Sequence, residues 1–319
     1  MSQLNKDILE ENDRNIRVYG SETQQLLFQS EVFIYGLSPC SSELIKDLIL
    51  SGVKICLFDY NKIVDEREIA HNFFTSKADL QKSMAKVIRD KFLIIKPNAS
   101  VEIIKQIEEI KNKQFKFAYF DLNEINISNP LLKEIENVLL SSNCIIYFSK
   151  FYGGATVCFN NLKEIESLKE EENLEIETIS DTGSDSENNE KISGNEDIIH
   201  IQEEETSKAS KKDNRIEQQH FQYLSLHEKL TVFLVKPEPI KENRKTDYYM
   251  IRNIIENIYN ISANLYENIF TGINMYLIGG EICREFVNCI SQKNKIRDDL
   301  FYFSALNSQG FYLDKDYFK

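Results

Sequence analysis

The stretch Glu31–Asp59, EVFIYGLSPCSSELIKDLILSGVKICLFD, decides the fold. EVFIY is a short apolar strand that ends at Gly36, and KICLF at Lys54–Phe58 is a second one that ends at Asp59. Between them Leu44, Ile45, Leu48 and Ile49 recur at helical spacing, so Ser41–Ser51 reads as a helix with Gly52 as its left-handed cap. Strand, helix and strand of this length make a βαβ unit, whose near-continuous apolar strands suit a parallel sheet covered on both faces.

Working outward, the alternation continues through a helix near Ala78–Phe92, strands near Ser100–Ile104 and at Phe117–Phe120, a helix around Leu131–Leu140 and a strand at Cys144–Phe148. The class is therefore α/β, with a Rossmann-like doubly wound sheet. Further on, 246–270 reads as helical, Gly279–Gly280 introduces the helix EICREFVNCI, and Leu300–Ala305 and Phe311–Leu313 flank the turn residues NSQG as a hairpin.

The 319 residues carry 38 Lys and Arg against 51 Asp and Glu, and the excess acid is local. Residues 163–214 hold 17 acidic and 6 basic side chains and no aromatic one, which leaves 34 acidic against 32 basic elsewhere. Such a segment buries too little apolar surface to offset the entropy of ordering, so it reads as a disordered acidic insertion. The expected organisation is one fold in two parts, 1–162 and 215–319, divided by 163–214. No basic cluster points to nucleic acid. No apolar run reaches the ~18–20 residues of a membrane span, and the polar N-terminus MSQLNKDILEENDRN does not suit a signal peptide, so an intracellular protein with no membrane partner is expected. The six cysteines show no C-x-x-C spacing and sit mostly in apolar runs, as buried free thiols do.

A βαβ unit with Asp59 placed 23 residues after Gly36 raises a nucleotide site, since an acid there commonly holds a ribose hydroxyl. The loop argues against it. A dinucleotide loop reads G-x-G-x-x-G, whereas Gly36 to Ser41 reads G-L-S-P-C-S. Pro39 removes an amide donor and places a ring where phosphate would approach, and Ser41 adds a side chain where close packing wants none. With Ser38 as N-cap and Pro39 at the first helical position, the loop is instead a good helix start.

Asp13–Gly20, DRNIRVYG, resembles the opening of ubiquitin-like activating enzymes and of the bacterial sulfur-carrier adenylyltransferases, with Asn12 where a tyrosine is usual. NFF at 72–74, DLQKSMA at 79–85, Phe151-Tyr152-Gly153 followed by TVCFNNL, and Tyr276–Glu281 with LFYFSAL resemble later segments of that family in the same order. The resemblance implies the ThiF/MoeB-type adenylation fold over about 12–162 and 220–313.

It also implies where ATP contacts are missing. The loop glycines of active members fall at Ser38, Pro39 and Ser41, their arginine at His71, their glutamine at Asn72 and their lysine at Met84. A magnesium-binding aspartate with a trailing arginine is unmatched, since no arginine occurs between Arg89 and Arg215. Without cations a triphosphate stays uncompensated, so no cofactor is expected on this chain, and ATP and Mg are expected in a partner subunit. Pseudo-active halves of the family pair with a large catalytic subunit. Those serving SUMO are similar in length and end soon after a phenylalanine-rich strand, as LFYFSALNSQGFYL does. The resemblance thus implies a heterodimer with that large subunit, SUMO as the modifier, and a nuclear place with a cytoplasmic pool. The alternatives are the same role for another modifier, such as the cullin-modifying one, and a Rossmann-type scaffold without ATP chemistry.

Arg14 is the residue the resemblance implies as functional, a cation reaching ATP phosphate in the partner's site, although arginine is as common in interface ion pairs. Arg17 reads as structural, sharing a face with Arg14 if the segment is helical. His71, His200, His220 and His227 are not spaced as metal ligands, Cys283 and Cys289 read as core, and Lys82 is a possible cation near the old site.

Overall fold

The computed structural model describes residues 12–152, 155–164, 221–234, 270–291, 296–304 and 309–313. In chain order these form α1 (Asp13–Tyr19), α2 (Ser21–Gln29), β1 (Glu31–Tyr35), α3 (Pro39–Leu50), β2 (Lys54–Phe58), α4 (Glu66–His71), α5 (Met84–Ile95) and β3 (Val101–Ile104). There follow α6 (Ile107–Lys111), β4 (Phe117–Asp121), α7 (Pro130–Ser141), β5 (Ile145–Tyr152), β6 (Ala155–Asn160), β7 (Leu162–Glu164), β8 (Phe221–Tyr223), α8 (Leu226–Leu234), α9 (Phe270–Ser291), β9 (Leu300–Ser304) and β10 (Gln309–Leu313).

One eight-stranded sheet runs β10-β9-β6-β5-β4-β1-β2-β3, and β7 pairs with β8 in a separate ribbon. From β3 to β5 every pairing is parallel, in the order 3-2-1-4-5, and the antiparallel strands β6, β9 and β10 extend the sheet beyond β5. This is the doubly wound α/β arrangement expected from the alternating elements. Side chains alternate strictly between the two faces, as a two-residue period requires. Val32, Ile34, Ile55, Leu57 and Tyr119 join one core with α3, α5 and α9. Phe33, Tyr35, Cys56, Phe58, Ala118 and Phe120 join the other with α7 and the start of α8.

The two strands of the first βαβ unit form at their expected bounds, and the helix expected at Ser41–Ser51 forms at Pro39–Leu50, starting from the Ser38 cap. Gly52 caps α3 with φ +88, and Val53 N donates to Leu48 O at 2.9 Å. Ser38 is the N-cap and Pro39 the first residue of α3. All six cysteines are buried and unpaired with one another, and burial pushes the Cys283 and Cys289 thiols up to about 12.

Two expectations differ from what forms. The helix placed at 78–92 splits into a 3-10 turn at Lys77–Asp79 and α5, because Ser83 caps a fresh start by accepting from Lys86 N at 3.4 Å. Gly279 and Gly280 do not introduce a helix but lie inside the 22-residue α9. The reason at Gly279 is close packing: an added Cβ would sit 3.1 Å from Glu43 Cβ and 3.2 Å from Cys40 O on α3.

By internal contacts the chain divides into Met1–Ile165 with Gln219–Lys319, and Glu166–Gln218. All of the expected acidic insertion but Lys163 and Glu164, which end β7, lies outside the described residues, as do most of the 246–270 helix, Gly153, His200, His220 and part of the NSQG turn. Among the described residues, no helix is long and apolar enough to cross a membrane.

Candidate functional site

In the order 3-2-1-4-5 the connections reverse between β1 and β4, and ligands of open α/β sheets bind at the carboxyl ends of the strands there. Tyr35 pairs with Phe120 across this point, so the next residues, Gly36 and Asp121, face each other. Gly36 has φ +92, and a Cβ on it would lie 2.8 Å from Asp121 Cβ.

The turn after β1 uses its own donors. Leu37 N donates to the Tyr60 hydroxyl at 3.1 Å, and Ser38 N donates to Ser41 Oγ at 2.7 Å. Pro39 has no N–H. Cys40 N and Ser41 N donate to Ser38 Oγ at 3.0 and 3.4 Å, and Ser42 N donates to Ser38 O at 3.0 Å. In a phosphate-binding turn these amides point at the anion. Here the capping serines and a tyrosine hold them.

The charges around the turn are mainly acidic. Asp121 is fully buried; it accepts from Ser38 Oγ and, through Oδ1, from Asn123 N at 3.0 Å and Asn123 Nδ2 at 2.8 Å. Burial, helped by the charge of Glu124, raises its pKa above the ordinary carboxylate value. Lys62 Nζ donates at 2.6 Å to each of three acceptors, Leu37 O, Glu68 Oε1 and Glu124 Oε2. Burial works against the Lys62 charge, but Glu124 and Glu68 outweigh it and hold its pKa above the usual lysine value. Lys150, on β5 and 1% exposed, donates to Leu122 O at 2.9 Å, and burial lowers its pKa despite Asp121 and Glu124. Among the described residues, three carboxylates and two engaged lysines leave no uncommitted cation for a triphosphate at this turn.

The positions singled out from the sequence do gather here. Asn72 is buried and donates from Nδ2 to Ser42 Oγ at 2.9 Å, while Met84 is fully buried and donates its amide to Lys62 O at 2.8 Å. His71 ends α4, half-buried. Asp59 closes β2, and its oxygens accept from Asn61 N at 3.0 Å and Ser83 Oγ at 3.3 Å, with Lys105 Nζ 3.4 Å away. Lys82 is not the local cation: it is 57% exposed and pairs with Asp79 at 3.3 Å. The cation at the turn is Lys62, missed because it is 25 residues from Leu37 and no spacing rule joins them. Asp121 was legible in principle, since FAYFD ends a strand in an acid as KICLFD does.

Arg14 stands apart from this turn. It is exposed on α1, and its side chain has no hydrogen bond or ion pair among the described residues. Arg17 by contrast pairs with Asp13 at 2.7 Å, a helical i,i+4 pair. Arg14 lines a cavity of about 430 Å³ together with Tyr19, Asp47, Leu50, Cys283 and Arg284, between α1, the end of α3 and α9.

No protein-family model matches the sequence. Over 325 aligned positions the chain is 24% identical to SUMO-activating enzyme subunit 1 of Danio rerio, covering 93% of this chain and 92% of that protein. It is 33% identical over 108 residues to the DNA damage tolerance protein rad31 of Schizosaccharomyces pombe, a match that covers 32% of this chain and 35% of rad31. SUMO-activating enzyme subunit 1 of Xenopus tropicalis is 28% identical over 160 residues, about half of this chain and 46% of that protein. Among solved structures, PaaA superposes with a TM-score of 0.58 at 11% identity over 98% of this chain and 85% of its own. MccB of E. coli with ATP superposes at 0.55, also at 11% identity, over 95% and 71%. These likenesses identify the architecture as the ThiF/MoeB-type adenylation fold. With that fold, and with a relative aligned along nearly its whole length, the chain is similar to the SUMO-activating enzyme subunit 1 proteins.

Proposed function

We propose that this chain is the small, non-catalytic subunit of a heterodimeric enzyme that activates SUMO, and that the large subunit holds ATP and Mg, adenylates the modifier's C-terminus and forms the thioester. The observation that carries the non-catalytic half is the turn at Gly36–Ser42, whose amides from Leu37 onward are all held within the chain. Among the described residues, a phosphate approaching it would find the turn's own donors engaged and the carboxylates of Asp121, Glu124 and Glu68 nearby. Electrostatic stabilisation of the leaving pyrophosphate, the larger part of such chemistry, has no local source.

Arg14 supports the subunit half. An exposed guanidinium with no hydrogen bond or ion pair among the described residues suits delivery to a phosphate in another subunit, as a cation supplied in trans. Val18, Leu26 and Leu50 on α1, α2 and α3 are 69%, 43% and 45% exposed, apolar surface that a partner would cover. A nuclear site of action with a cytoplasmic pool, and no nucleic acid or membrane partner, complete the reading. The test is ATP–pyrophosphate exchange. The chain alone is expected to show none with any modifier, and its complex with the large subunit is expected to show it with SUMO. Exchange by the chain alone overturns the reading.

A further inference from the structure

Lys62 is a buried lysine with three acceptors, and each belongs to a different segment. Leu37 O lies in the turn after β1, Glu68 on α4, and Glu124 just beyond β4. The side chains of Lys62, Glu68 and Glu124 are 14%, 6% and 12% exposed. Among the described residues the second oxygen of Glu68 accepts no hydrogen bond, and the Lys62 ammonium, ahead of Asn72, is the main compensation for that buried charge. The backbone of Lys62 is tied as well: its carbonyl accepts from Met84 N at 2.8 Å, and the neighbouring Val64 exchanges bonds with Lys82 O and Gln81 N at 2.9 Å each. One residue thus joins the turn at the switch point, α4, the strand-end loop after β4 and the start of α5.

We propose that Lys62 is an internal cross-brace that stands in for a nucleotide: its ammonium holds the Gly36–Ser42 turn and the 59–84 segment in one arrangement that does not change with ATP. In a nucleotide-binding half, the ligand's charge joins these segments and the site orders when it is occupied. Here a buried ion cluster joins them permanently. The partner subunit therefore meets the same surface at every stage of its own cycle. The inference rests on the proposed non-catalytic subunit role and on the geometry of Lys62, and it holds for any modifier.

Peptide-resolved amide hydrogen exchange on the full chain, assembled with its partner, tests it. Peptides of this chain spanning 36–42 are expected to exchange slowly and equally with and without Mg·ATP. In Lys62→Ala the two carboxylates lose their counter-ion, and the same peptides are expected to exchange faster by on the order of a hundredfold, while β1 and β2 change far less. Added methylammonium is expected to restore part of the protection, a response that lost packing alone would not give. If Lys62→Ala does not fold, Glu124→Gln removes one arm only and is read in the same peptides, with a smaller increase expected. Unchanged exchange at 36–42 in the variant that folds overturns the proposal. Protection at 36–42 that rises with Mg·ATP in the wild type overturns it too.

Discussion

Gly36 and Asp121 face each other across the switch point so closely that a single methyl group on Gly36 would overlap Asp121, at 2.8 Å from its Cβ and 2.9 Å from its carbonyl oxygen. The positive φ of Gly36 adds backbone strain for any other residue. Both contacts are with a buried residue at a strand end, which cannot swing away. Gly36→Ala is expected to destabilise the chain by ~2–4 kcal/mol, read as a lower urea midpoint at unchanged slope.

Arg14→Ala separates catalysis from folding. Because Arg14 is exposed and carries no bond among the described residues, its loss is expected to change stability by no more than ~0.5 kcal/mol. In the complex, adenylation is expected to slow by about a hundredfold or more, as when one charge-stabilising donor is removed. Thioester transfer from preformed adenylate is expected to change much less, since the cation acts while pyrophosphate leaves. Single-turnover measurement of both steps checks this, and unchanged adenylation would remove Arg14 from the mechanism.

Replacing Ser38, Pro39 and Ser41 together by glycine restores the spacing of a phosphate loop but not its electrostatics. No ATP binding is expected by calorimetry. The lysines near the turn stay committed, and Asp121 loses the hydroxyl that Ser38 donates to it. Loss of the N-cap alone is worth ~1 kcal/mol, and leaving one oxygen of the buried Asp121 carboxylate without its donor adds to that, so the triple variant is expected to melt several degrees lower.

Acid stability has an identifiable contributor in Asp79. Hydrogen bonds from Ser76, whose hydroxyl lies 2.5 Å and amide 3.1 Å from Oδ2, act first, and Lys91 and Lys82 add to them, together lowering its pKa to about 2. A depressed carboxylate stabilises the fold above its unfolded pKa of ~3.9, and that stabilisation is lost as pH falls from there through about 2. Its contribution is ~1–2 kcal/mol, below the full value of the shift, because Lys82 and Lys91 are 57% and 36% exposed and water screens them. Asp79→Asn is therefore expected to be less stable than wild type at pH 7, with the difference shrinking towards pH 2. An equal difference at both pH values would contradict this assignment.

The sequence by itself determined the first βαβ unit, the alternating series behind it and the helix start at Ser38-Pro39, because these depend on local periodicity and capping chemistry. It also showed that the phosphate loop was degenerate, since glycine spacing is a local property. What it could not show was what replaced the loop's ligand. Lys62 and Glu68, Asp121 and Glu124, and Lys150 come from three separate stretches of the chain and meet only because the order 3-2-1-4-5 brings the ends of β2, β1, β4 and β5 together. Lys82, near in sequence to the positions of interest, bonds outward to Asp79, and Lys62 turns inward. The same holds for α9, where the glycine pair reads as a break yet continues the helix, because Gly279 must lie against α3 without a side chain. Local chemistry names the elements, whereas long-range packing decides which charges are buried together, and that decides what this site holds.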